Sequence, residues 1–501
     1  MKYKLSKIQS VSGGAIILTI FGLISKLLGF VSEMIVASLF GTTGALDAVF
    51  IASSATSVMV AIFMGGITNL FLPNYLKIKE KDKIEAKKYA TNMGLAVTFI
   101  SIGLGVLLYT FPTQIINVLA PGFDQELVFY AARKIRILSV MPFILGAGRI
   151  CATLLRAERR FFYFSISQLA YNLIYIPILI IATPRLSESS YILGMILGNL
   201  GILLFYFIFS RDIFKKSFNP LSKNVRRTIR LALPIMLSVG IGSINQIIDK
   251  AFVSLLPEGR VSSLQFAHTL LGLVSFAIIS FLTTSYTELS EHIAKKENDK
   301  AVNRMKYTVT TSMNLVIPLT AWIAIMANPL ISLVYQRGSF TEESTILVSS
   351  ALIGYSLTLI TQPIAVTNNQ FISAIGKVKV FGLIALFSVG TNTFFDWLFL
   401  EPFGHAGIAF STSMVSVINV MIITFYLYKK GINYIPYKRF FKVFLIGIIL
   451  FLAGYLSQGR INEILWLIVI NLSMLIFFFV TARKDLNTIL RKFLHIKKDT
   501  K

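Results

Sequence analysis

Long apolar runs separated by short polar segments make up most of the chain. Stretches such as Val58–Phe71, Ile166–Ala182 and Leu465–Val480 carry no charge, and the segments around them reach the ~20 residues that cross a bilayer as a helix. Backbone groups in lipid must hydrogen-bond within their own segment, so these runs are predicted to be α-helices. About fourteen spans are predicted, near 15–40, 46–72, 89–111, 127–153, 162–182, 190–210, 229–255, 262–286, 307–334, 345–373, 379–400, 405–428, 440–457 and 463–482.

The placement of the basic residues predicts the orientation of these spans. With the N-terminus inside, alternate gaps and the two tails hold most of the 48 Lys and Arg residues. The opposite gaps hold only Arg185, Arg260, Arg337 and Arg460. Cytoplasmic loops of membrane proteins carry such an excess, so both termini are predicted to be cytoplasmic. The net charge of +25 then belongs to loops beside anionic lipid, and no nucleic acid is expected as a partner.

The chain also repeats itself at an offset of 217 residues. The matches fall in loops rather than in apolar runs: Asp82 and Lys83 on Asp299 and Lys300, Pro112 on Pro329, Phe123 on Phe340, Glu126 on Glu343 and Ala157 on Ala374. The predicted fold is therefore an all-α polytopic membrane protein of two pseudo-symmetric six-helix lobes plus two C-terminal helices. The lobes are placed at 1–220 and 221–432. Residues 433–501 hold the last two helices, predicted to be dispensable for folding, and a basic tail.

Because each copy holds an even number of spans, both enter the membrane from the same side, as parallel repeats do. Substrate sites in such transporters lie near the midplane, between the repeats.

Motifs of enzymes and motors are missing from the sequence. It contains no Walker A motif, no H-E-x-x-H and no G-x-S-x-G, so no nucleotide partner is expected. The histidines show no metal-ligand spacing, and neither a metal nor a cofactor is predicted. The longest outer gap, near Phe111–Glu126, is too short for the acceptor domain of a membrane glycosyltransferase or polymerase. A transporter is favoured, driven by an ion of unknown identity, the membrane potential or consumption of product outside.

Ionisable residues inside spans are the candidate site residues, because each costs roughly 2.5–3.5 kcal/mol on insertion scales. Lys26 and Glu33 lie seven residues apart and share a helix face. Lys26 is the preferred contact of an anionic substrate, although a snorkelling lysine is the alternative. Asp396, beside Trp397, is predicted to be an interfacial anchor instead. The substrate cavity is predicted to contain Lys26, Glu33, Asp47, Arg133, Arg136, Arg149, Asp249 and Lys250.

The repeat also predicts an outer gate. At the offset of 217, Glu33 of the first helix falls on Lys250 of the seventh, and a shift of one residue places it on Asp249. The two positions are expected at similar depth, so a Glu33–Lys250 ion pair is predicted to form when the outer side closes.

Several short motifs resemble the MurJ (MviN) lipid II flippase family. They are SKLLGFVSE at 25–33, FG at 40–41, DA at 47–48, LPEGRVS at 256–262, YQRGSFT at 335–341 and GHAG at 404–407. The likeness runs from about residue 20 to 428. That family belongs to the multidrug, oligosaccharidyl-lipid and polysaccharide exporter superfamily, which implies two six-helix lobes around a cavity. It also implies a lipid-facing groove formed by the last two helices, here Arg439–Arg483.

The resemblance implies a flippase that carries a polyprenyl-diphosphate-linked saccharide across a bacterial cytoplasmic membrane by alternating access. Membrane lipids and that saccharide are the expected partners. Four family arginines, held to grip the substrate diphosphate, are replaced here by Ser32, Val60, Ala61 and Thr269, and Lys26 stands for a fifth. These departures keep open a flippase for an exopolysaccharide, capsule or O-antigen unit. The alternatives of another class are a cation-coupled multidrug antiporter and a membrane glycosyltransferase.

Overall fold

A computed structural model describes residues 11–377, 379–458 and 462–496. The chain forms helices throughout these ranges, joined by short turns and a single 3-10 turn at Arg211–Ile213. The helices are α1 Val11–Phe40, α2 Gly44–Lys81, α3 Lys83–Thr110, α4 Pro112–Leu119, α5 Gln125–Leu138, α6 Met141–Ala157, α7 Phe161–Leu186, α8 Ser189–Ser210, α9 Lys223–Val253, α10 Arg260–Ala294, α11 Asn298–Ile325, α12 Ala327–Tyr335, α13 Glu342–Ala374, α14 Lys379–Lys429, α15 Tyr437–Ser457 and α16 Glu463–Ile496. The predicted basic tail is helical up to Ile496, and the rest of it lies outside the described residues.

The described helices agree with the prediction of about fourteen membrane spans. In the described chain, eleven helices are individually long and apolar enough to cross, and two bent pairs, α5 with α6 and the two parts of α9, bring the total to 13. That total treats α14 as one span, although 51 residues would extend about 77 Å at 1.5 Å per residue. Gly404, with a φ of 57°, divides α14 into two helices, and counting these two separately gives fourteen candidate spans. The predicted polytopic all-α fold is confirmed.

The helix boundaries repeat with the offset seen in the sequence. The bent pair α5–α6 spans 125–157, and α13 spans 342–374, which is 217 residues further at both ends. The short helices α4 and α12 also correspond, and hydropathy did not predict either of them as a separate element. Each contains the Pro that recurs in the repeat, Pro112 and Pro329, within its first turn or next to it, where Pro is tolerated.

The structure divides into two compact units. The first comprises the chain up to Ser263 together with Arg337–Ser344, and the second comprises Leu264–Gln336 with the chain from Thr345 onward. The lobe boundaries predicted from the repeat, 220/221 and 432/433, stay predictions.

The core of the first unit is centred on α2. Val60, Met64 and Phe71 recur at helical spacing on one face of α2 and are buried against α3, α6 and α9. Gly66 allows α9 to approach closely, because a Cβ there would lie 2.7 Å from the carbonyl oxygen of Ala232. The lower part of α2 is therefore fixed by apolar packing.

The last two helices complete the core of the second unit. Trp466 and Phe477 of α16 are buried in one cluster with Met313 and Ile317 of α11. The Trp466 indole Nε1 donates a hydrogen bond to the Gly454 carbonyl of α15 at 3.0 Å. Removal of α15 and α16 would expose this cluster, so the structure argues against the prediction that the two helices are dispensable for folding.

Candidate functional site

Three segments that carry the motifs meet in one place in the first unit. They are residues 38–47, at the end of α1 and the start of α2, residues 254–262, between α9 and α10, and residues 337–344, before and into α13. We call this contact the junction. Phe40 and Phe340 are 5% and 2% exposed, so the junction has a dry centre. The motifs that are far apart in sequence thus form one structural feature.

Asp47 is the polar centre of the junction. Its side chain is 2% exposed, and its Oδ2 accepts the Gly259 N–H at 2.7 Å and the Val261 N–H at 3.4 Å. Its Oδ1 accepts the Ser262 N–H at 2.7 Å. The first N–H groups of a helix lack partners within the helix, so Asp47 caps α10 from a distant segment of the chain and places negative charge at the positive end of its dipole. The carboxylate is closed off in this conformation, and its predicted contact with substrate stays a prediction.

Glycines bring the backbones of the junction into direct contact. Gly41 and Gly338 have φ of 61° and 62°, a region that L side chains rarely adopt. A Cβ on Gly41 would lie 2.4 Å from the Ser339 carbonyl oxygen, and one on Gly338 would lie 2.3 Å from the Ser38 carbonyl oxygen. The Ser339 N–H donates to that Ser38 oxygen at 2.7 Å. Any larger residue at these two glycines would separate the segments.

Side chains add further hydrogen bonds around this contact. Glu258 Oε2 accepts the Gly44 N–H at 3.1 Å, at the start of α2. The Thr42 and Ser344 hydroxyls lie 2.8 Å apart. The Gly122 N–H donates to Ser254 Oγ at 3.1 Å, which extends the contact to the turn before α5. The junction is thus held by several polar contacts whose strength depends on close approach.

The predicted Glu33–Lys250 gate is wrong for this conformation. The Lys250 ammonium contacts Ser54 Oγ on α2, in a half-buried position near Gln246. The closing contact consists instead of backbone groups and Asp47. The repeat predicts the depth of each residue along its helix. It does not predict the direction in which the side chain points, so it could not show which residue Lys250 contacts.

The remaining predicted cations are accessible. Lys26 is exposed on α1, one residue after Ser25, whose carbonyl accepts the Asn172 amide of α7 at 3.3 Å. Arg133 and Arg136 are exposed on one face of α5, and Arg149 is exposed on α6. The structure therefore leaves these four side chains available to an anionic group, and their contact with substrate stays a prediction.

The acidic candidates Glu33 and Asp249 are half-buried. The Glu33 carboxylate lies within electrostatic range of Tyr171 and Tyr175 of α7 and Tyr191 of α8. Lys26 is exposed and Glu33 is half-buried, so the two residues of the shared face have different environments.

The positions that lack the family arginines are built into the fold in other ways. Val60 is 1% exposed in the core of the first unit. Ser32 is buried and donates to the Gly29 carbonyl of its own helix at 2.7 Å. In the second unit, Thr269 Oγ1 accepts the Gln265 amide at 3.3 Å. A long cationic side chain at Val60 or Ser32 would have no space without repacking.

Asp396 is a buried acid, although the sequence predicts an interfacial anchor at this position. It is fully buried in α14, and its Oδ2 accepts the Asn392 amide at 2.8 Å, whereas Trp397 is 66% exposed. The anchor prediction is therefore wrong for Asp396 and fits only its neighbour. The neighbouring Trp397 favoured a position at the membrane interface. Adjacent residues on a helix point in different directions, so the sequence did not show that Asp396 faces the interior. No cluster of three or more His, Cys, Asp or Glu residues in the described part of the chain could hold a metal.

An apolar cavity of about 530 Å³ lies in the second unit, between α11, α13, α14 and α15. Ile353, Leu357, Phe410, Phe444 and Phe451 form much of its lining, with few polar groups. Its size and lining suit a hydrocarbon chain.

Ion pairs tie the turn between α6 and α7 to the end of α2. Glu158 accepts the Lys79 ammonium at 2.6 Å and the Tyr75 hydroxyl at 2.7 Å. Burial opposes the charged carboxylate, but these two donors outweigh it and hold the pKa of Glu158 below its ordinary value. In the next turn, Arg160 binds the Asp212 carboxylate with both guanidinium nitrogens.

Comparison with known proteins gives a consistent result. The family model described as lipid II flippase MurJ matches residues 36–479. The lipid II flippase MurJ of Thermosipho africanus is 26% identical over 496 residues, covering 98% of this chain and 100% of the relative. The probable lipid II flippase MurJ of Buchnera aphidicola subsp. Acyrthosiphon pisum is 25% identical over 441 residues, covering 85% of each chain.

Solved structures agree with these relatives. A lipid II flippase MurJ in an inward closed conformation superposes with a TM-score of 0.79 at 25% identity, covering 94% of this chain and 100% of that one. An inward-facing multidrug resistance MATE family transporter of the MOP superfamily superposes with a TM-score of 0.67 at 15% identity, covering 89% and 100%. The second likeness concerns the fold alone.

Proposed function

The chain belongs to the lipid II flippase MurJ family, and on this premise we propose that it moves a polyprenyl-diphosphate-linked saccharide such as lipid II from the inner to the outer leaflet of a bacterial cytoplasmic membrane. The junction is the observation that carries this proposal. It closes one end of the first unit through glycine contacts and one buried carboxylate, and such a contact can open and close without a hydrolytic motor. Loops rich in Lys and Arg lie on the cytoplasmic side, so the junction is assigned to the outer side.

The substrate cycle uses the junction as an outer gate. While the junction is closed, the saccharide head enters from the inner leaflet and its diphosphate meets Lys26, which is exposed on α1. Opening of the junction then lets the head leave toward the outer leaflet, which is alternating access around a fixed site. The polyprenyl tail stays in lipid throughout, and the apolar cavity of the second unit receives part of it.

A second candidate substrate follows from the replaced arginines. Val60 lies in the core and the Ser32 hydroxyl bonds to its own helix, so neither position provides a positive charge for the diphosphate. A weaker grip on the diphosphate favours a saccharide that makes its main contacts elsewhere, such as an exopolysaccharide, capsule or O-antigen unit.

The test is transport by purified protein in proteoliposomes. Fluorescent lipid II and a fluorescent polyprenyl-diphosphate saccharide of another class are compared, and a membrane-impermeant quencher reports the leaflet. Lys26→Ala is expected to abolish transport, Lys26→Arg to retain much of it, and Lys81→Ala, an exposed lysine at the end of α2, to leave it unchanged. Transport of neither substrate by the unmodified protein, or full transport by Lys26→Ala, would overturn the corresponding part of the proposal.

A further inference from the structure

A cluster of tyrosine rings lies inside the first unit, between α2, α7 and α8. The Tyr171 and Tyr175 rings of α7 are stacked, with centroids 5.3 Å apart, and Tyr175 meets Tyr191 of α8 edge to face at 5.8 Å. Phe50 of α2 meets Tyr191 in the same way at 5.6 Å. Tyr175 is 3% exposed, so the rings form a packed group within the membrane-spanning part of the unit.

Glycines of α8 make room for this group. A Cβ on Gly194 would lie 2.9 Å from the Tyr175 ring, and one on Gly198 would lie 2.8 Å from the Tyr171 ring. Two tyrosines are thus accommodated in an interior where Leu or Phe would fill the same volume without a polar group. Buried tyrosine hydroxyls need hydrogen-bonding partners, so a polar function for the cluster is expected.

The register of α1 on α7 brings an acid to the same place. Phe21 packs on Phe162 at 6.0 Å, and the Ser25 hydroxyl donates to the Gln168 carbonyl at 3.4 Å. Both helices run in the same direction, so Glu33, two turns beyond Ser25, reaches the level just above Tyr175. One oxygen of its carboxylate, Oε1, is shielded from solvent at this level.

We propose that Glu33, Tyr171, Tyr175 and Tyr191 form a proton-binding site that is loaded and emptied during the transport cycle. A carboxylate buried in a membrane-spanning lobe is costly while it is charged, and it becomes neutral when it takes up one proton to form the carboxylic acid. The polar hydroxyls of the cluster favour the charged form, so protonation weakens the electrostatic attraction between α1 and α7. The coupling to transport rests on the proposed function, whereas proton binding itself does not.

The other ionisable groups near α1 have distinct contacts. Lys26 lies two turns away on the same helix and is exposed. Asp47 of α2 is engaged by the N–H groups of the junction, and Lys250 of α9 contacts Ser54, with Asp249 acting on it. Glu33 is therefore the acid that we assign to the tyrosine cluster.

Infrared difference spectra of the purified full-length protein in nanodiscs test the binding of a proton without any saccharide. On acidification, the unmodified protein is expected to gain a carboxylic acid carbonyl band that Glu33→Gln lacks. Tyr171→Phe and Tyr191→Phe should each remove a polar hydroxyl from the cluster, favour the neutral acid and raise the midpoint by about one pH unit, which is a tenfold change in proton affinity. Tyr163→Phe, whose ring stacks on Phe209 elsewhere in α7, is the matched control and should leave the midpoint unchanged.

The outcomes separate this site from the transport proposal. A pH-dependent band that persists in Glu33→Gln, or a midpoint that none of the tyrosine variants moves, would overturn the site. A second result would also overturn it: no pH-dependent band, together with a protein that sodium chloride stabilises more than choline chloride does, an effect that Glu33→Gln lacks. The ligand of Glu33 would then be a metal cation. A Glu33-dependent band in a protein that transports neither saccharide would retain the site and reject the proposed function. In a protein that does transport, Glu33→Gln should lose the pH dependence of the rate, and a retained dependence would overturn the coupling.

Discussion

Replacement of Asp47 should open the junction. Asp47→Ala removes the acceptor of the Gly259, Val261 and Ser262 N–H groups, two of which are bound at 2.7 Å. Loss of a helix N-cap costs about 1–2 kcal/mol, and a buried donor left without a partner costs about 1–3 kcal/mol. The sum is roughly 3 kcal/mol in favour of the open state, or about a 100-fold rise in its population. Asp47→Asn keeps one acceptor oxygen and should shift the balance by about tenfold.

The assay is the modification rate of a cysteine placed in the junction. Ser38→Cys lies where the Gly338 segment covers it, so a membrane-impermeant maleimide reacts only after the junction opens. Cys151, which is buried in the first unit, is replaced by Ala to remove the natural thiol. When opening is fast relative to modification, the rate follows the open population.

The control is an aspartate with the same local role and a different location. Asp124 caps α5 by accepting the Leu127 N–H at 2.8 Å and is exposed. Asp124→Ala should change the modification rate little. The reasoning would be refuted by an unchanged rate in Asp47→Ala protein that still folds and inserts.

Three further predictions follow from other contacts. Gly338→Ala should also raise the maleimide rate, because its Cβ would meet the Ser38 carbonyl, whereas Gly382→Ala, with open space around it, should not. Ile353→Trp, in the apolar cavity, should slow transport of long-chain polyprenyl substrates at unchanged protein level. Leu383→Trp, on an exposed face of the same unit, should not, and equal rates would remove the cavity from the tail path. Glu158→Gln should lower the melting temperature at pH 7. Because the pKa of Glu158 is depressed, the difference should be complete above the ordinary glutamate pKa and shrink as pH falls through the depressed pKa, and a difference that does not shrink on acidification would refute the ion pair as its source.

The fold was largely predictable because lipid leaves few options. An apolar run long enough to cross must be a helix, and the distribution of Lys and Arg orders the loops. The repeat predicted two lobes through loop residues such as Asp82 and Asp299, and the boundaries of α5–α6 and α13 follow the same offset. The short helices α4 and α12 were missed, since they are too short to give a hydropathy signal of their own.

The candidate site was predictable only in part. Motif residues such as Gly41 and Gly338 were noted as family signatures, but their common location depends on tertiary contacts between segments about 300 residues apart. Sequence alone assigned Glu33 to Lys250 because both are charged and lie at equal depth. The structure places the Ser54 hydroxyl beside the Lys250 ammonium, where a salt bridge with Glu33 was expected. Pairing of charges is a weak guide when neutral donors can satisfy the same groups.

The number of cations near the substrate path limits how the head can be held. A diphosphate brought out of water needs close positive charge or hydrogen-bond donors, since an unpaired buried anion is costly. Lys26 is exposed on α1, whereas Val60 and Ser32 are committed to packing and to a local hydrogen bond and supply no positive charge. The closed junction, by contrast, contains a buried aspartate and glycines in tight contact. The proposed gate is therefore fully built in this chain, whereas Ser32 and Val60 offer no cation to the anionic head. A flippase built in this way should discriminate substrates by the saccharide and the tail more than by the diphosphate.

Replacing lipid II by an analogue with a monophosphate should therefore reduce transport less in this protein than in a relative that has all the arginines. An equal reduction of transport in both proteins would contradict the argument.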